Sequence, residues 1–272
     1  MKYKMIALDL DGTLKSSDKQ ILPKTKEILI KLASKGIIIV LASGRPTAGL
    51  YLEANELKLK EYGGYLLSFN GAKVVNYQTK EVIYQKVYDY KIAHQVYDRA
   101  KEYNMAVMSY TDSEIISEDV DDKYVKIESD INNMPIKKVA SFKEVINFDV
   151  NKVLLTGEPD YMAKVEAEFK QPYGDSLSIY RSAPYFIEVM AQGIDKAASL
   201  KALADSLQIK PEEIISFGDG YNDLSLIEFA GLGVAMANAV DEVKQRANYI
   251  TLSNDEEGIY DCLNKLEKRG EI

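Results

Sequence analysis

The sequence is poor in the residues on which much enzyme chemistry rests. It holds one cysteine, Cys262, one histidine, His94, and no tryptophan among 272 residues. A lone cysteine forms no disulfide within the chain, so the fold must live on its own core. A single imidazole supplies no multi-histidine zinc site, and a Ser-His-Asp triad would have to be built around His94 alone. Acid–base chemistry therefore falls to carboxylates. Apolar runs are short, and none approaches the ~18 residues of a membrane-crossing helix. Positive charge is in deficit, with 34 Lys and Arg against 42 Asp and Glu, a formal net charge of −8. That balance excludes nucleic acid and an anionic membrane surface as partners gripped through overall charge. A local basic pocket for a small anion stays open. The N-terminal stretch turns acidic at Asp9 and Asp11, too early for a secretory apolar region, so a cytoplasmic location is expected. There is no Gly-x-x-x-x-Gly-Lys-Ser/Thr loop and no Gly-x-Ser-x-Gly elbow, nor any internal repeat.

What is present is an ordinary globular composition, 46% hydrophobic and 28% charged, long enough for two domains at ~100–200 residues each. Short apolar runs alternate with helical patterns in the first and last thirds. Strands are expected at Lys4–Leu8, Gly36–Ala42, Tyr65–Phe69, Glu213–Phe217 and Leu232–Met236, since continuous β-branched runs of this length suit strands buried on both faces of a parallel sheet. Helices are expected over Pro23–Ala33 and Asp195–Leu207, where apolar residues recur at a spacing of three and four. This alternation predicts an α/β fold, a Rossmann-like doubly wound parallel-sheet core. The middle differs. Strand-like pieces at Tyr124–Glu128, Val153–Thr156 and Leu177–Tyr180 mix with helices near Ile92–Tyr103 and Tyr161–Phe169. The expected organisation is a discontinuous core, 1–83 and 189–272, interrupted by an α+β domain with an antiparallel sheet at 84–188. The acidic run Glu118–Asp122 is expected to be a solvated loop.

Four polar segments follow predicted elements of the core. They are Asp9-Leu10-Asp11-Gly12-Thr13-Leu14, Ser43-Gly44-Arg45, Lys196 at a helix start, and Gly218-Asp219-Gly220-Tyr221-Asn222-Asp223. Ligands of open α/β sheets bind outside the carboxyl ends of the strands, so these segments should converge in one crevice. There Asp9, Asp11, Asp219 and Asp223 would repel one another without a cation, and hard oxygen donors favour Mg²⁺ over zinc. Ser43, Lys196 and the backbone N–H groups near Gly44 suit a phosphate. Asp9 and Asp11, two apart on an extended chain, should face the same side. One carboxylate can attack phosphorus while the other protonates the leaving oxygen and then activates water. A calcium-binding loop is excluded: its glycine belongs at position six and its glutamate at twelve, but counting from Asp9 those are Leu14 and Gln20. Singly, each segment has an ordinary explanation, as a turn, a helix cap or a surface lysine. Jointly, their placement at strand ends in the required order does not.

The full set resembles the four motifs of the haloacid dehalogenase superfamily. More narrowly it resembles the Cof-type branch and its YidA-like sugar phosphatases, through Asn70-Gly71-Ala72, Ser182–Glu188 and Gly231–Ala239 as well. The resemblance implies that Asp9 is the nucleophile and a Mg²⁺ ligand. Asp11 would be the general acid/base and a ligand through its carbonyl, with Asp219 a further ligand and Asp223 supporting the metal site. Ser43, Gly44, Lys196, Asn222 and the N–H of Leu10 would hold the phosphate. The insertion would be a C2-type α/β cap, closing over the site and choosing the substrate. About thirty residues separate Asp11 from Ser43, which one helix and one strand nearly exhaust, so no helical cap fits there and hydrolysis is favoured over mutase chemistry. The expected activity is Mg²⁺-dependent hydrolysis of small phosphorylated metabolites, sugar phosphates foremost. The alternatives are a phosphomutase and a non-catalytic metabolite-binding regulator. Arg45, Asn70, Arg181 and Glu188 are the candidate substrate contacts. Tyrosines around the insertion (Tyr84, Tyr88, Tyr90, Tyr97, Tyr103, Tyr110) are expected in core or surface roles, His94 on a solvated helix face, and Cys262 as a small core residue. A monomer or a homodimer is expected.

Overall fold

The computed structural model describes residues 2–272. They form two compact units, 2–84 with 195–272, and 85–194. In chain order the first part of the core holds β1 (Met5–Asp9), α1 (Pro23–Ser34), β2 (Ile38–Ala42), α2 (Tyr51–Glu56), α3 (Leu59–Tyr62), β3 (Gly64–Ser68), β4 (Lys73–Asn76) and β5 (Val82–Gln85). The inserted unit holds α4 (Tyr90–Glu102), β6 (Ala106–Tyr110), β7 (Ile115–Ser117), α5 (Lys123–Asn132), β8 (Ile136–Lys138), α6 (Phe142–Val145), β9 (Lys152–Thr156), α7 (Pro159–Lys170), β10 (Leu177–Ala183) and β11 (Phe186–Ala191). The chain then returns to the core with α8 (Lys196–Ser206), β12 (Ile214–Gly218), α9 (Leu224–Phe229), β13 (Leu232–Ala235), α10 (Asp241–Arg246), β14 (Tyr249–Ile250) and α11 (Gly258–Lys268). The expected boundary at 188/189 falls inside β11, whose pairing with β9 and β10 keeps it in the inserted sheet. That unit ends instead at Ile194.

The core sheet runs β14-β13-β12-β1-β2-β3-β4-β5. Its six strands from β14 to β3 are parallel, so their carboxyl ends lie along one edge. The pleat divides β1 between two apolar layers. Ile6 and Leu8 pack with Ile28, Leu29 and Leu32 of α1 and with Ile259 and Leu263 of α11. Met5 and Ala7 face Leu200 and Leu203 of α8 and Leu226 of α9. Every residue of β1 is buried, as a strand sandwiched between helices requires. The period of two then assigns Asp9 to the side of α8. Among the described residues no helix is long and apolar enough to cross a membrane.

The inserted sheet runs β10-β11-β9-β6-β7-β8 and is antiparallel except for the parallel pair β7–β8, joined through α5. One face is apolar: Val107, Val153, Leu155, Ile179 and Val189 pack with Val96, Phe142, Met162 and Phe169. Against expectation, Tyr124–Glu128 is helical. The Asp122 carboxylate accepts the N–H groups of Tyr124 and Val125 and starts α5. Tyr124, Val125, Glu128 and Asn132 then bury at helical spacing. The acidic run is likewise no mere solvated loop. Glu118 accepts the Tyr97 hydroxyl and the N–H of Phe142, Lys101 pairs with Asp119, and Asp122 is the cap.

Candidate active site

The turn after β1 is set by its own backbone. The carbonyls of Asp9 and Leu10 accept from the N–H groups of Leu14 and Lys15, five residues on. Inside this turn Gly12 has φ +86°, and a β-carbon there would lie 2.5 Å from Oδ2 of Asp219. A side chain is thus excluded both by backbone conformation and by the acid that β12 delivers. The Gly12 carbonyl accepts from Asn238 Nδ2 at 2.8 Å, and the Thr13 hydroxyl donates to Asp219 Oδ1 at 2.7 Å. These contacts bind the ends of β1, β12 and β13 to one another.

Lys196 opens α8 behind the Asp195 cap, whose side chain accepts the N–H of Ala198. It is 1% exposed, and its ammonium spends all three hydrogens. They go to Asp9 Oδ1 at 2.7 Å, Asp223 Oδ1 at 2.6 Å and the Ala42 carbonyl at 3.3 Å. The other oxygen of Asp223 accepts the N–H groups of Asp219 and Gly220, both at 3.0 Å. Oxygens of Asp9, Asp219 and Asp223 all lie within 4.8 Å of one another. Burial raises the Asp9 carboxyl well above its usual range, the Asp223 carboxylate adds to this, and Lys196 opposes it. Asp219 is raised by burial too, against the stabilising bond from Thr13. Burial pushes the Lys196 ammonium down, but Asp223 and Asp9 outweigh it and hold it above the ordinary lysine value. The cause is arithmetic: three carboxylates surround one ammonium in a dry site, and positive charge is short.

Asp11 stands apart from that trio. β1 has ended at Asp9, and the turn carries the Asp11 carboxylate to Arg45, which donates from Nε to Oδ2 at 2.8 Å and from Nη2 to Oδ1 at 2.7 Å. This is a two-bonded fork. Beyond β2, Ser43 Oγ accepts the N–H of Arg45 at 3.2 Å. A turn after β3 faces it, with Phe69, Asn70 and Gly71 at φ +52°, +54° and +100°. The N–H of Phe69 bonds to the Arg45 carbonyl and that of Asn70 to the Ser43 carbonyl, holding two non-glycine residues in the left-handed region. A β-carbon at Gly71 would lie 2.5 Å from the Asp195 carbonyl, so the turn and the start of α8 are in direct contact. The Asn70 amide lies over Gly44, and Asn70 Oδ1 accepts from Asn222 Nδ2 at 3.3 Å. The Leu10 side chain is fully buried, so only its backbone can serve a ligand.

Of the candidate substrate contacts, Arg45 and Asn70 sit among these loops. Arg181 and Glu188 belong to the inserted unit. Arg181 Nε pairs with Glu166 at 2.7 Å. Glu188 is buried, its oxygens taken by Lys152 at 3.3 Å and the Tyr180 hydroxyl at 3.0 Å. His94 is half-buried rather than solvated, with Nε2 2.7 Å from the Ile146 carbonyl and its ring edge-on to Tyr90. Tyr97 stacks on Phe142, Tyr110 donates to buried Glu128, and burial pushes the Cys262 thiol up to about 12. The sequence reading missed the buried pair Lys15–Glu53, at 2.5 Å. Its members are 38 residues apart, and nothing local in either segment announces the contact.

Comparison with known proteins agrees with this architecture. A family model described as haloacid dehalogenase-like hydrolase matches residues 6–263. A 5-amino-6-(5-phospho-D-ribitylamino)uracil phosphatase of Bacillus subtilis, YitU, is 31% identical over 266 residues, covering 94% of each chain. A crystal structure of a haloacid dehalogenase-like hydrolase from Bacteroides thetaiotaomicron superposes with a TM-score of 0.94 at 43% identity, covering 97% of this chain and 100% of that one. The subclass IIB sugar phosphatase BT4131 superposes with a TM-score of 0.79 at 28% identity, over 99% and 100% of the two chains. With matches spanning nearly its whole length, this chain belongs to the haloacid dehalogenase-like hydrolases, in their Cof-type (IIB) branch, and is a phosphatase.

Proposed function

We propose that the chain hydrolyses phosphate monoesters of small polyhydroxylated metabolites, sugar and sugar-alcohol phosphates, through a phosphoryl group carried on Asp9. The observation that carries the reading is the placement of Lys196 between Asp9 and Asp223, with Asp219 alongside, at the carboxyl edge of the parallel sheet. The substrate class follows the relatives, one named for a phosphoribityl compound and another titled a sugar phosphatase.

The donor set fits Mg²⁺. It consists of hard carboxylate oxygens without sulfur or imidazole, in a site whose raised carboxyls report missing positive charge. Asp9, Asp219, the Asp11 carbonyl and Asp223 would hold the ion, which when bound neutralises phosphoryl oxygens and the acids around them. Lys196 fixes Asp9 through Oδ1 and directs the other oxygen to phosphorus. The Asp9 oxygen forms a bond to phosphorus as the ester P–O bond breaks, and the departing oxygen takes a proton from Asp11. Asp11 then takes a proton from water, whose oxygen attacks phosphorus. The acyl phosphate bond breaks, inorganic phosphate leaves, and Asp9 is restored. Ser43, Asn222 and the N–H groups of Leu10 and Gly44 hold the phosphoryl oxygens. Because both Asp11 oxygens rest on Arg45, proton transfer requires one of them to be released. A substrate oxygen drawing Arg45 away would do this and couple acid catalysis to substrate arrival. The inserted unit is the natural source of substrate selection.

The test is release of inorganic phosphate from p-nitrophenyl phosphate and from a panel of sugar, polyol and nucleoside phosphates, with Mg²⁺ and after EDTA. The reading expects Mg²⁺-dependent release, fastest on sugar or polyol phosphates. Release that EDTA leaves unchanged, or a preference for nucleotides over every sugar phosphate, would contradict it.

A further inference from the structure

Among the described residues of the core, the pair Lys15–Glu53 is the most deeply buried ion pair outside the Lys196 cluster. The two side chains are 8% and 3% exposed, and Nζ lies 2.5 Å from Oε1. Glu53 Oε2 is buried without a hydrogen-bond partner. Burying two opposite charges costs desolvation that their attraction seldom more than balances, and apolar residues of similar volume commonly do as well for stability. A pair that leaves one carboxylate oxygen unsatisfied is still further from an optimum for stability. What an ion pair supplies and an apolar contact does not is a fixed direction and distance.

The backbone of Lys15 is where that direction matters. Its N–H donates to the Leu10 carbonyl at 2.9 Å and closes the turn that begins at Asp9. Lys15 bridges Asp11 on one side and Ile21 on the other, and its carbonyl accepts from Asn254 Nδ2 at 2.9 Å. Beyond it the hairpin returns through buried Ile21, and at its exposed tip Ser17 donates twice to Asp255. Two residues close the loop bearing Leu10 and Asp11 through their main chains: Leu14, whose side chain enters the apolar core, and Lys15, whose side chain is fixed there by a directional ion pair. Glu53 provides the anchor from α2, one turn beyond the segment that carries Ser43 and Arg45.

We propose that Lys15 is a positioning residue: pinned to Glu53, it holds the Asp9–Lys15 turn so that the Asp11 carboxylate and the Leu10 N–H stand where phosphoryl transfer needs them. This rests on the assignment of that turn in the proposed mechanism. The pair acts on the placement of groups rather than on the strength of the fold.

The experiment compares the wild type with Lys15→Met/Glu53→Leu, which replaces both charges by apolar side chains, and with Lys26→Met, which removes a half-exposed pair with Glu56 that joins α1 to α2. Thermal unfolding and steady-state kinetics on p-nitrophenyl phosphate are measured for each. The proposal expects the double variant to unfold at or above the wild-type temperature. Its kcat should fall about 10- to 100-fold while KM moves less than about threefold, the signature of misplaced reacting groups. Lys26→Met should match wild type in both. A double variant that keeps kcat within about threefold of wild type overturns the proposal. So does one that unfolds well below wild type, because the pair would then be structural. Asp9→Asn is run alongside: if it stays active, the mechanism fails, whereas an active double variant beside an inactive Asp9→Asn sinks only the positioning role.

Discussion

Gly12 and Asp219 are fitted to each other across 207 residues of sequence: a β-carbon on the glycine would stand 2.5 Å from the carboxylate oxygen of the acid. Gly12→Ala is therefore expected to fail twice. The positive φ costs about 1–2 kcal/mol for an L side chain, and the methyl displaces Asp219 from Thr13 and from Asp9. Activity should drop about 100-fold, as expected for a displacement near 1 Å at the reacting centre. Denaturant unfolding with kinetics at saturating Mg²⁺ checks both. Activity within about threefold of wild type would show that Asp219 need not stand where it does.

Lys196 is expected to be indispensable to the fold of the site and to its chemistry. In Lys196→Met, Asp9 and Asp223 keep their burial and lose the ammonium that pairs with both. Removing one partner from such a group costs about 3–5 kcal/mol, and losing a donor at the reacting centre costs about 100- to 1,000-fold in kcat. Chemical denaturation and phosphate-release kinetics measure the two effects. A variant as stable as wild type would mean that the two carboxylates do not depend on this ammonium.

The inserted unit should be sensitive to pH through Glu128. Burial, the leading influence, holds this carboxyl above its ordinary 4.5, while Lys152 and the Tyr110 hydroxyl pull it down, Glu188 pushes it up, and Asn132 donates to the Glu128 carbonyl. A carboxyl raised in the folded state binds its proton more tightly there than in the unfolded chain. Its contribution is then fully present below 4.5 and is lost as pH rises through the folded value. Glu128→Gln keeps an acceptor for Tyr110 and removes the buried charge. Amide hydrogen exchange of β6 and β9 should show the variant better protected than wild type at pH 7.5, with the difference closing toward pH 4. Equal protection across that range would contradict the raised carboxyl.

Most of the core was legible because its signals are local. Ile38–Ala42 is apolar at every position and Ile214–Gly218 carries only the small Ser216 among its apolar residues, as suits strands covered on both faces. The polar residues that interrupt such runs at their carboxyl ends marked the site. Tyr124–Glu128 was misread because Val125 and Ile127 alternate with longer polar residues over five positions, a pattern shared by a strand and one turn of helix. The Asp122 cap and the burial of Asn132 decide for the helix, and both lie outside that window. The fork between Arg45 and Asp11 and the pair Lys15–Glu53 join segments 34 and 38 residues apart. Composition and periodicity carry no trace of such contacts, since they exist only once the sheet has brought β1, β2 and α2 together.

The account depends most on Asp9 carrying the phosphoryl group, and that is open to direct observation. Wild type and Asp11→Asn are mixed rapidly with p-nitrophenyl phosphate and Mg²⁺, quenched in acid, digested and examined by peptide mass spectrometry. The expected result is a phosphorylated peptide spanning β1 with the group on Asp9, accumulating further in Asp11→Asn, where attack by water is slowed. Turnover in wild type with no phosphorylated peptide at any quench time, or with the group on another residue, would contradict the account.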